Sequence, residues 1–290
     1  MKANLASENN KKPVRIEGGL SSKKGYWRKT GEHSPLVSVI TVVINSANCL
    51  ESTIESVLGQ TYRNIEYIII DGGSTDGTVE IIRKYNDRIA YWLSEPDTGI
   101  YDAMNKGTVL ASGEWVLFMN AGDIFYESDT VTNIFSRNYE EADFIYGNNE
   151  IIYSRDLSVI RKALDIRELW KGMIVNHQCM FVKRSLMQKY PFNLEYKIGA
   201  DYDFIYSAYM DKCNFYNSGI VIASTAQGGY SDLNVIPNIK EQWSIVRKHD
   251  ASIKVDLYYV WLILCAFMKN LMKAILPKRI REVIIKWKYN

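Results

Sequence analysis

The chain has 290 residues, of which 47% are hydrophobic and 23% are charged, and its formal net charge at pH 7 is +2. This length suits one large α/β domain with an appendage, and it allows a sizeable buried core. A net charge so close to zero argues against general attraction to nucleic acid, so we expect no nucleic-acid partner.

Both ends of the chain are more basic than its middle. Residues 1–35 carry eight Lys or Arg against three Glu, and residues 269–290 carry seven against one. The polar composition of 1–35 predicts a loosely ordered segment, which Tyr26 and Trp27 could pin to the rest of the protein. Residues 1–19 contain no apolar run typical of a signal peptide, so we expect a cytoplasmic protein.

The four cysteines lie far apart and form no pair with metal-ligand spacing: Cys49, Cys179, Cys213 and Cys265. This pattern indicates small buried hydrophobic side chains in a reducing compartment. A disulfide framework and a zinc site are both disfavoured.

Strand and helix patterns alternate regularly from residue 36. A continuous apolar, β-branched run at 36–44 is typical of a strand covered on both faces. Further strands are predicted at 65–71, 89–93, 114–120, 144–146, 150–153, 159–163, 178–183 and 220–225. Helices are predicted around Leu50, Ile54, Val57 and Leu58, then at 78–85, 100–111, 129–139, 201–211 and from 238 onward. The alternation predicts βαβ units and a mainly parallel sheet over residues 36–235, followed by a helical extension at 236–290.

Two of these strands end in acidic, glycine-containing loops. The strand at 65–71 runs into Asp71 and Asp76 within DGGSTDG, and the strand at 114–120 is followed by Asp123. Because the carboxyl ends of parallel strands share one sheet edge, we expect a ligand crevice there, suited to a divalent cation and a phosphorylated ligand. The alternative is that Asp71 and Asp76 are only turn and helix-cap residues.

Three motifs together resemble the family 2 glycosyltransferases of the GT-A fold: DGGSTDG at 71–77, SEPDTGIYDAMNKG at 94–107 and NAGD at 120–123. The resemblance covers residues 36–231. It implies a Rossmann-like α/β sheet, mixed but mainly parallel, flanked by helices. It also implies an inverting enzyme that moves a sugar from a nucleotide-sugar, most often a UDP-sugar, to a hydroxyl group. The implied acceptor is a lipid-linked or polysaccharide chain in surface polysaccharide biosynthesis, such as capsule or O-antigen.

The resemblance also implies roles for residues on the donor side. The residues implied to bind the nucleotide-sugar are Thr41, Val42, Asn45, Asp71, Asp76, Asp97, Asp102, Asn105 and Lys106. Asp123 is implied to hold a divalent cation, Mn²⁺ or Mg²⁺, with Asn120 as a second ligand through its amide oxygen or through water. On this side the sequence departs from the family pattern at Gly72 and Asn120, which stand where carboxylates are usual, and at Ile44, which replaces the Tyr common before Asn45.

On the acceptor side, the resemblance assigns the catalytic base to Asp201 in KIGADYDF, where Ala200 replaces the usual Glu. An N-cap Asp is the structural alternative. Other residues assigned to the acceptor side are His177, Gln178, Asp203, Gly228, Gly229 and Ser231. Two alternatives remain open: His177 is a structural histidine, and Gly228 and Gly229 form an ordinary turn.

The C-terminal extension has two parts. Residues 257–268 are apolar but too short for a membrane-spanning helix, which needs about 20 residues. After Pro277, a basic amphipathic helix with Ile280 and Trp287 on its apolar side is predicted to lie on the inner face of the cell membrane. Packing on the catalytic domain or on a second copy is the alternative.

A different class of function also fits the sequence. The NAGD motif keeps a carboxylate only at its last position, and Ser207 stands where an Arg is frequent. Both features suit a non-catalytic GT-A-fold subunit of a polysaccharide assembly complex. A nucleotidyltransferase is less favoured, because the first-strand loop lacks Gly and Lys. The oligomeric state is left open.

Overall fold

The structure is a computed structural model that describes residues 15–22 and 34–275. The predictions for Tyr26 and Trp27, and for the basic helix after Pro277, lie outside the described residues.

The described residues form one ten-stranded sheet with helices packed against it. The strands are β1 (Ile16–Gly18), β2 (Val37–Val43), β3 (Ile65–Asp71), β4 (Tyr91–Ser94), β5 (Trp115–Phe118), β6 (Ile124–Phe125), β7 (Phe144–Ser154), β8 (Leu157–Arg161), β9 (Met180–Lys183) and β10 (Phe215–Ala226). The α-helices are α1 (Leu50–Leu58), α2 (Thr78–Lys84), α3 (Ile100–Leu110), α4 (Thr130–Phe135), α5 (Arg184–Lys189), α6 (Ala200–Met210), α7 (Tyr230–Leu233), α8 (Val235–Arg247) and α9 (Ile253–Ile275). Short 3₁₀ turns occupy Leu20–Ser22, Ile166–Lys171 and His177–Cys179.

Four parallel strands form the half of the sheet that carries the acidic loops, in the order β4-β3-β2-β5. Every residue of β2 is buried, as its apolar run predicts. The chain steps outward from β2 to β3 and β4, then returns to pair β5 with the other side of β2. In open α/β sheets, ligands bind where the strand order reverses in this way, which here is at the carboxyl ends of β2, β3 and β5.

The second half of the sheet is mixed. β9 is antiparallel to β5 and β7, whereas β7 and β10 are parallel. The sequence predicts two short strands at 144–146 and 150–153, but the structure has a single strand, β7. Gly147 allows the backbone of Ile220 to approach closely, and Asn149 is satisfied by a 2.9 Å hydrogen bond to Thr225, so these turn-like residues stay within the strand.

The amino-terminal segment departs from its prediction. Residues 16–18 are not loosely ordered but form β1, which pairs antiparallel with β4 at the sheet edge. Asn86 stabilises this arrangement by accepting hydrogen bonds from the backbone of Gly19 at 2.8 Å and from the Trp92 indole at 2.9 Å. The sequence of the segment is polar, so its pattern alone did not reveal the pairing.

The cysteines agree only partly with their prediction. All four are free, but only Cys179 is fully buried, whereas Cys49, Cys213 and Cys265 are partly exposed.

The carboxy-terminal extension is helical through residue 275. α9 packs its inner side, including Val255 and Tyr259, against α8 and the turn at Ile166–Lys171. Its outer side is also apolar, but it is exposed at positions such as Leu257, Trp261 and Leu264. Among the helices that the structure describes, none has the length and apolar character to cross a membrane.

The predicted α/β architecture, a mixed sheet flanked by helices, is confirmed. Its core continues under α3, which contacts both β2 and β3. Gly107 of α3 makes this approach possible, because a Cβ there would lie 2.6 Å from Cγ2 of the buried Ile40.

We expect Gly107→Ala to destabilise the fold. Ala is better than Gly inside a helix by about 1 kcal/mol, but overpacking a core costs about 1–3 kcal/mol. The expected net loss in the free energy of unfolding is about 1 kcal/mol, measured by urea denaturation. Val109→Ala is the matched control, since Val109 lies on the same helix and is 80% exposed. Equal or greater stability of the Gly107 variant would contradict the packing argument.

Candidate active site

The acidic loops meet at the carboxyl ends of the parallel strands, as the sequence predicts. Asp71, the last residue of β3, pairs with Val43 of β2. The backbone of Met119, just after β5, donates to Ile40 of β2 at 2.9 Å. The loop that begins at Asn120 therefore lies on the opposite side of β2 from Asp71.

Asp71 organises its own loop. Its buried carboxylate accepts hydrogen bonds from the hydroxyl of Ser94 at 2.6 Å, from the backbone of Ser74 at 3.0 Å and Gly73 at 3.2 Å, and from the Ser74 hydroxyl. A carboxylate with four donors is stabilised within the protein. This arrangement fixes the loop, and contact of Asp71 with a nucleotide stays a prediction.

The loop after β3 is tied to the loop after β2. Asn45 adopts a positive φ of 46°, and its amide oxygen accepts from the backbone of Thr75 at 2.9 Å. Asp76 accepts from the backbone of Ala47 at 3.0 Å and from Thr78 at 3.1 Å. Hydrogen bonds lower the pKa of Asp76, and the largest contribution comes from the side-chain hydroxyl of Thr78. The N-cap position of α2 is Gly77, not Asp76 as predicted, but Asp76 accepts from the first residue of the helix.

Two predicted donor-side residues lie inside the sheet. Thr41 is fully buried and donates to the Met119 carbonyl at 2.7 Å, and Val42 is 5% exposed. Their role as nucleotide contacts stays a prediction, which their burial does not favour.

Asp97 lies against Gly72, one of the positions that depart from the family pattern. A Cβ at position 72 would overlap the Oδ2 atom of Asp97. Burial raises the pKa of Asp97, while its hydrogen bond from the backbone of Gly99 lowers it in part. A carboxylate of the SEPD loop therefore lies directly beside position 72.

The helix α3 uses its polar residues to hold two loops. Asp102 accepts from the backbone of Thr98 at 2.9 Å, and Lys106 contacts Glu95 at 3.1 Å. Asn105 makes two hydrogen bonds of 2.9 Å with the backbone of Phe192, on the acceptor side. Both polar atoms of Asn105 are therefore engaged, and its contact with a diphosphate stays a prediction.

Asp123 lies in a tight turn after β5. Its Oδ2 atom accepts a hydrogen bond of 2.6 Å from the side chain of Gln178. Burial raises the pKa of Asp123 to about 6, and Gln178 and the neighbouring His177 lower it in part. Among the residues that the structure describes, Gln178 is the one hydrogen-bond donor to this carboxyl group.

Asn120, His177 and Asp201 form a continuous chain of hydrogen bonds. Nδ1 of His177 lies 3.0 Å from Oδ2 of Asp201, and its Nε2 lies 2.9 Å from Nδ2 of Asn120. Oδ1 of Asp201 accepts from the backbone of Tyr202 at 2.8 Å and lies 3.1 Å from the hydroxyl of Tyr101. The His177 and Asp201 side chains are 21% and 15% exposed, so both can be reached from solvent.

The three predicted carboxylates are not all in one network. Asp123 and Asp201 are joined through the consecutive residues Gln178 and His177. Asp71 belongs to the neighbouring loop on the other side of β2.

The remaining acceptor-side residues lie apart from this network. Asp203 forms an ion pair of 3.5 Å with Lys248, the residue that follows α8. Gly228, Gly229 and Ser231 lie at an exposed turn where α7 begins. Their role in acceptor binding stays a prediction.

The residues present offer only a small number of ligands to a divalent cation. Within residues 15–22 and 34–275, no group of three or more His, Cys, Asp or Glu could hold a metal. However, the amide oxygen of Asn120 is buried and has no hydrogen-bond partner. An unpaired amide oxygen in the same turn as Asp123 gives two oxygen ligands of the kind that Mg²⁺ and Mn²⁺ accept.

Comparison with known proteins identifies the family. The model of the glycosyl transferase family 2 matches residues 38–191. The chain belongs to glycosyl transferase family 2. The prediction that it is a glycosyltransferase is therefore confirmed.

Two curated relatives in the family illustrate its range. A PGL/p-HBAD biosynthesis glycosyltransferase of Mycobacterium tuberculosis (strain ATCC 25177 / H37Ra) is 34% identical over 177 residues, which are 59% of this chain and 68% of the relative. An uncharacterized glycosyltransferase of Rickettsia typhi is 28% identical over 232 residues, which are 74% of this chain and 73% of the relative.

Solved structures confirm the predicted GT-A fold. S. aureus TarS 1–349 in complex with UDP aligns with a TM-score of 0.59 and 17% identity, covering 84% of this chain and 76% of that one. The mannosyltransferase PcManGT from Pyrobaculum calidifontis, in complex with GDP-Man and Mn²⁺, aligns with a TM-score of 0.61 and 16% identity, covering 89% and 80%. The chain covers 43% of a longer TarS structure.

Sequence reasoning missed Glu241 of α8. Its carboxylate accepts hydrogen bonds from three successive backbone amides just before Asp201, those of Lys197 at 3.1 Å, Ile198 at 3.0 Å and Gly199 at 2.8 Å. A single Glu 40 residues downstream gives no motif, so only the folded structure shows this contact.

Removing this carboxylate should loosen the loop that carries Asp201. We expect Glu241→Ala to lower the free energy of unfolding by about 2 kcal/mol, because backbone amides lose a charged acceptor. Glu241→Gln keeps one acceptor oxygen and should lose less. Lys240→Ala, at the exposed neighbouring position, is the control and should change stability by no more than about 0.5 kcal/mol. Urea denaturation measures all three, and equal stability of the Glu241→Ala and Lys240→Ala variants would show that the contact does not matter.

Proposed function

We propose that the chain transfers a sugar, with inversion, from a UDP-sugar to a hydroxyl group of a lipid-linked or polysaccharide acceptor. The observation that carries this proposal is the pair of consecutive residues His177 and Gln178. They bring the donor-side carboxylate, Asp123, and the proposed base, Asp201, to one short turn. A single displacement needs such an arrangement, with a base on one side of the reacting carbon and leaving-group stabilisation on the other.

Asp201 is the proposed catalytic base. Within the part of the chain that the structure describes, its Oδ2 atom accepts from His177 alone, whereas Oδ1 accepts from the backbone of Tyr202 and shares the Tyr101 hydroxyl with the Ile198 carbonyl. Because each carboxylate oxygen has two lone pairs, Oδ2 retains one for the acceptor proton. As the acceptor oxygen bonds to the anomeric carbon, its proton passes to Asp201. The bond from that carbon to the diphosphate oxygen breaks, and its electrons leave with the nucleoside diphosphate.

Asp123 and the amide oxygen of Asn120 are the residues that would hold a divalent cation. When bound, such a cation neutralises the charge that develops on the leaving diphosphate. Lys106 would add little charge at the diphosphate while it remains paired with Glu95 at 3.1 Å and Asp102 at 3.5 Å.

The choice of UDP is supported by structural neighbours. TarS structures contain UDP and UDP-GlcNAc, while the mannosyltransferase contains GDP-Man. At 16–18% identity, these proteins support the fold and a nucleotide-sugar donor in general. UDP is therefore the first donor nucleotide to test, and GDP is the second.

We expect UDP with Mn²⁺ to raise the melting temperature of the purified protein. Asp201→Asn should keep this nucleotide-dependent stabilisation but lower turnover by at least about 100-fold, because a positioned base contributes about 10²–10⁴ in rate. Asp211→Asn, at the exposed end of the same helix, is the control and should remain active. Absence of any shift with UDP or GDP would refute the proposed function. Equal turnover by wild type and Asp201→Asn would refute the base assignment and favour a non-catalytic subunit.

We further propose that α9 rests on an anionic lipid surface at the inner face of the cell membrane, where a lipid-linked acceptor resides. The exposed apolar side of α9 comprises Ile253, Leu257, Val260, Trp261, Leu264, Phe267, Met268 and Leu271. A helix that is apolar on the face opposite its packed side needs a second apolar environment. The 15 residues after α9 carry five Lys or Arg against one Glu, which complements anionic headgroups.

Polar substitutions on this side of α9 should weaken lipid binding. We expect the triple variant Leu257→Ser, Trp261→Ser, Leu264→Ser to bind vesicles of phosphatidylglycerol and phosphatidylcholine at least about tenfold more weakly, since each buried apolar side chain contributes about 1.5–3 kcal/mol. Vesicle co-sedimentation of the full chain measures this.

The control is a triple Ser variant at Ile160, Leu164 and Leu194, which are exposed apolar residues elsewhere on the protein. Equal vesicle binding by both variants would contradict the proposal. A change from oligomer to monomer without a change in lipid binding would instead identify a second copy as the occupant.

A further inference from the structure

The amide group of Asn120 has a defined orientation, and the hydrogen bonds of His177 determine it. A carboxylate can only accept, so Nδ1 of His177 must carry the proton that faces Asp201 at 3.0 Å. The tautomer that carries its proton at Nδ1 has a lone pair at Nε2. Only the NH₂ group of Asn120 can donate to that lone pair, at 2.9 Å. The amide oxygen of Asn120 is thereby turned away from His177.

This oxygen is left without a partner. It is buried, and no donor within the described residues reaches it. A buried unpaired acceptor costs about 1–3 kcal/mol, so proteins rarely retain one without a reason. Asp123 lies three residues further on, and its backbone amide donates to the Asn120 carbonyl at 3.0 Å, which closes the turn between them.

We propose that His177 is a positioning residue that fixes the Asn120 amide with its oxygen presented to a divalent cation. This inference rests on the proposed function and adds a role for His177 on the donor side of the site. An Asp at position 120 would need no such partner, because its two oxygens are equivalent. An Asn has a single oxygen, so a neighbouring acceptor must select its orientation. Partners behind a metal ligand typically change metal affinity by about 10- to 100-fold.

Two substitutions of His177 distinguish the contribution of its Nε2 atom from that of its Nδ1 atom. Gln places an amide oxygen near the position of Nε2 and can still accept from Asn120. Asn is shorter, replaces only the donor at Nδ1, and leaves Asn120 free to rotate. We expect His177→Asn to weaken Mn²⁺ binding by about 10-fold or more, and His177→Gln to change it by less than about threefold. Electron paramagnetic resonance of free Mn²⁺, titrated with protein in the presence and absence of UDP, measures affinity without turnover.

The same substitution in an Asn120→Asp variant tests whether the loss of Mn²⁺ affinity is prevented. In Asn120→Asp, the orientation of the side chain no longer matters, so adding His177→Asn should leave Mn²⁺ affinity within about threefold. Circular dichroism checks that each variant is folded. If His177→Asn does not fold, His177→Phe takes its place, since Phe keeps a ring but accepts no hydrogen bond.

The outcomes distinguish this inference from the proposed function. If wild type binds UDP and Mn²⁺ but His177→Asn binds Mn²⁺ equally well, or loses the same affinity in both backgrounds, the positioning role is refuted. If wild type binds UDP but not Mn²⁺, the oxygen of Asn120 serves another group, such as a donor hydroxyl, and the inference again fails. If no nucleotide binds at all, the proposed function itself is refuted.

Discussion

Two consecutive side chains on one short turn, His177 and Gln178, carry the hydrogen bonds that join the donor and acceptor sides of the site. Gln178 donates to Asp123 after β5, and His177 donates to Asp201 at the start of α6. A carboxylate taken out of water is stable only where donors face it. Cys179, the third residue of the turn, is fully buried and anchors it in the sheet. The relative placement of the two carboxylates therefore depends on this turn.

The helix α3 contributes to the same alignment from the other side of the site. Tyr101 and Asn105 face the loop that leads to Asp201, whereas Asp102 and Lys106 face the SEPD loop. Residues four apart on a helix share a face, whereas adjacent residues point in different directions, so the pairs 101/105 and 102/106 can contact two different loops. The motif most specific to the family resemblance thus acts, in this structure, mainly as a scaffold between loops.

The sequence predicted elements whose pattern is set locally. The apolar runs of β2 and β3 and the pattern of α3 place these elements within two residues of their observed bounds. It failed where pairing with a distant segment decides the structure. β1 is polar and exists because β4 offers a free edge, and β7 continues through Gly147 because β10 runs alongside. For the same reason the sequence identified Asp123 and Asp201 as candidates but gave no sign of Glu241, whose contacts are made across some 40 residues.

Two departures from the family pattern, Gly72 and Asn120, each lie against a polar residue from elsewhere in the fold. Gly72 lacks a carboxylate, and Asp97 occupies the space that a side chain there would need, so the two cannot coexist without rearrangement. Asn120 lacks a charge and an equivalent second oxygen, and His177 selects the orientation of the oxygen it has. A Gly and an Asn in acidic motifs therefore do not by themselves indicate an inactive site. Asp97 keeps a carboxylate beside Gly72, and in the proposed role of His177 the oxygen of Asn120 depends on its hydrogen-bond partner for its orientation.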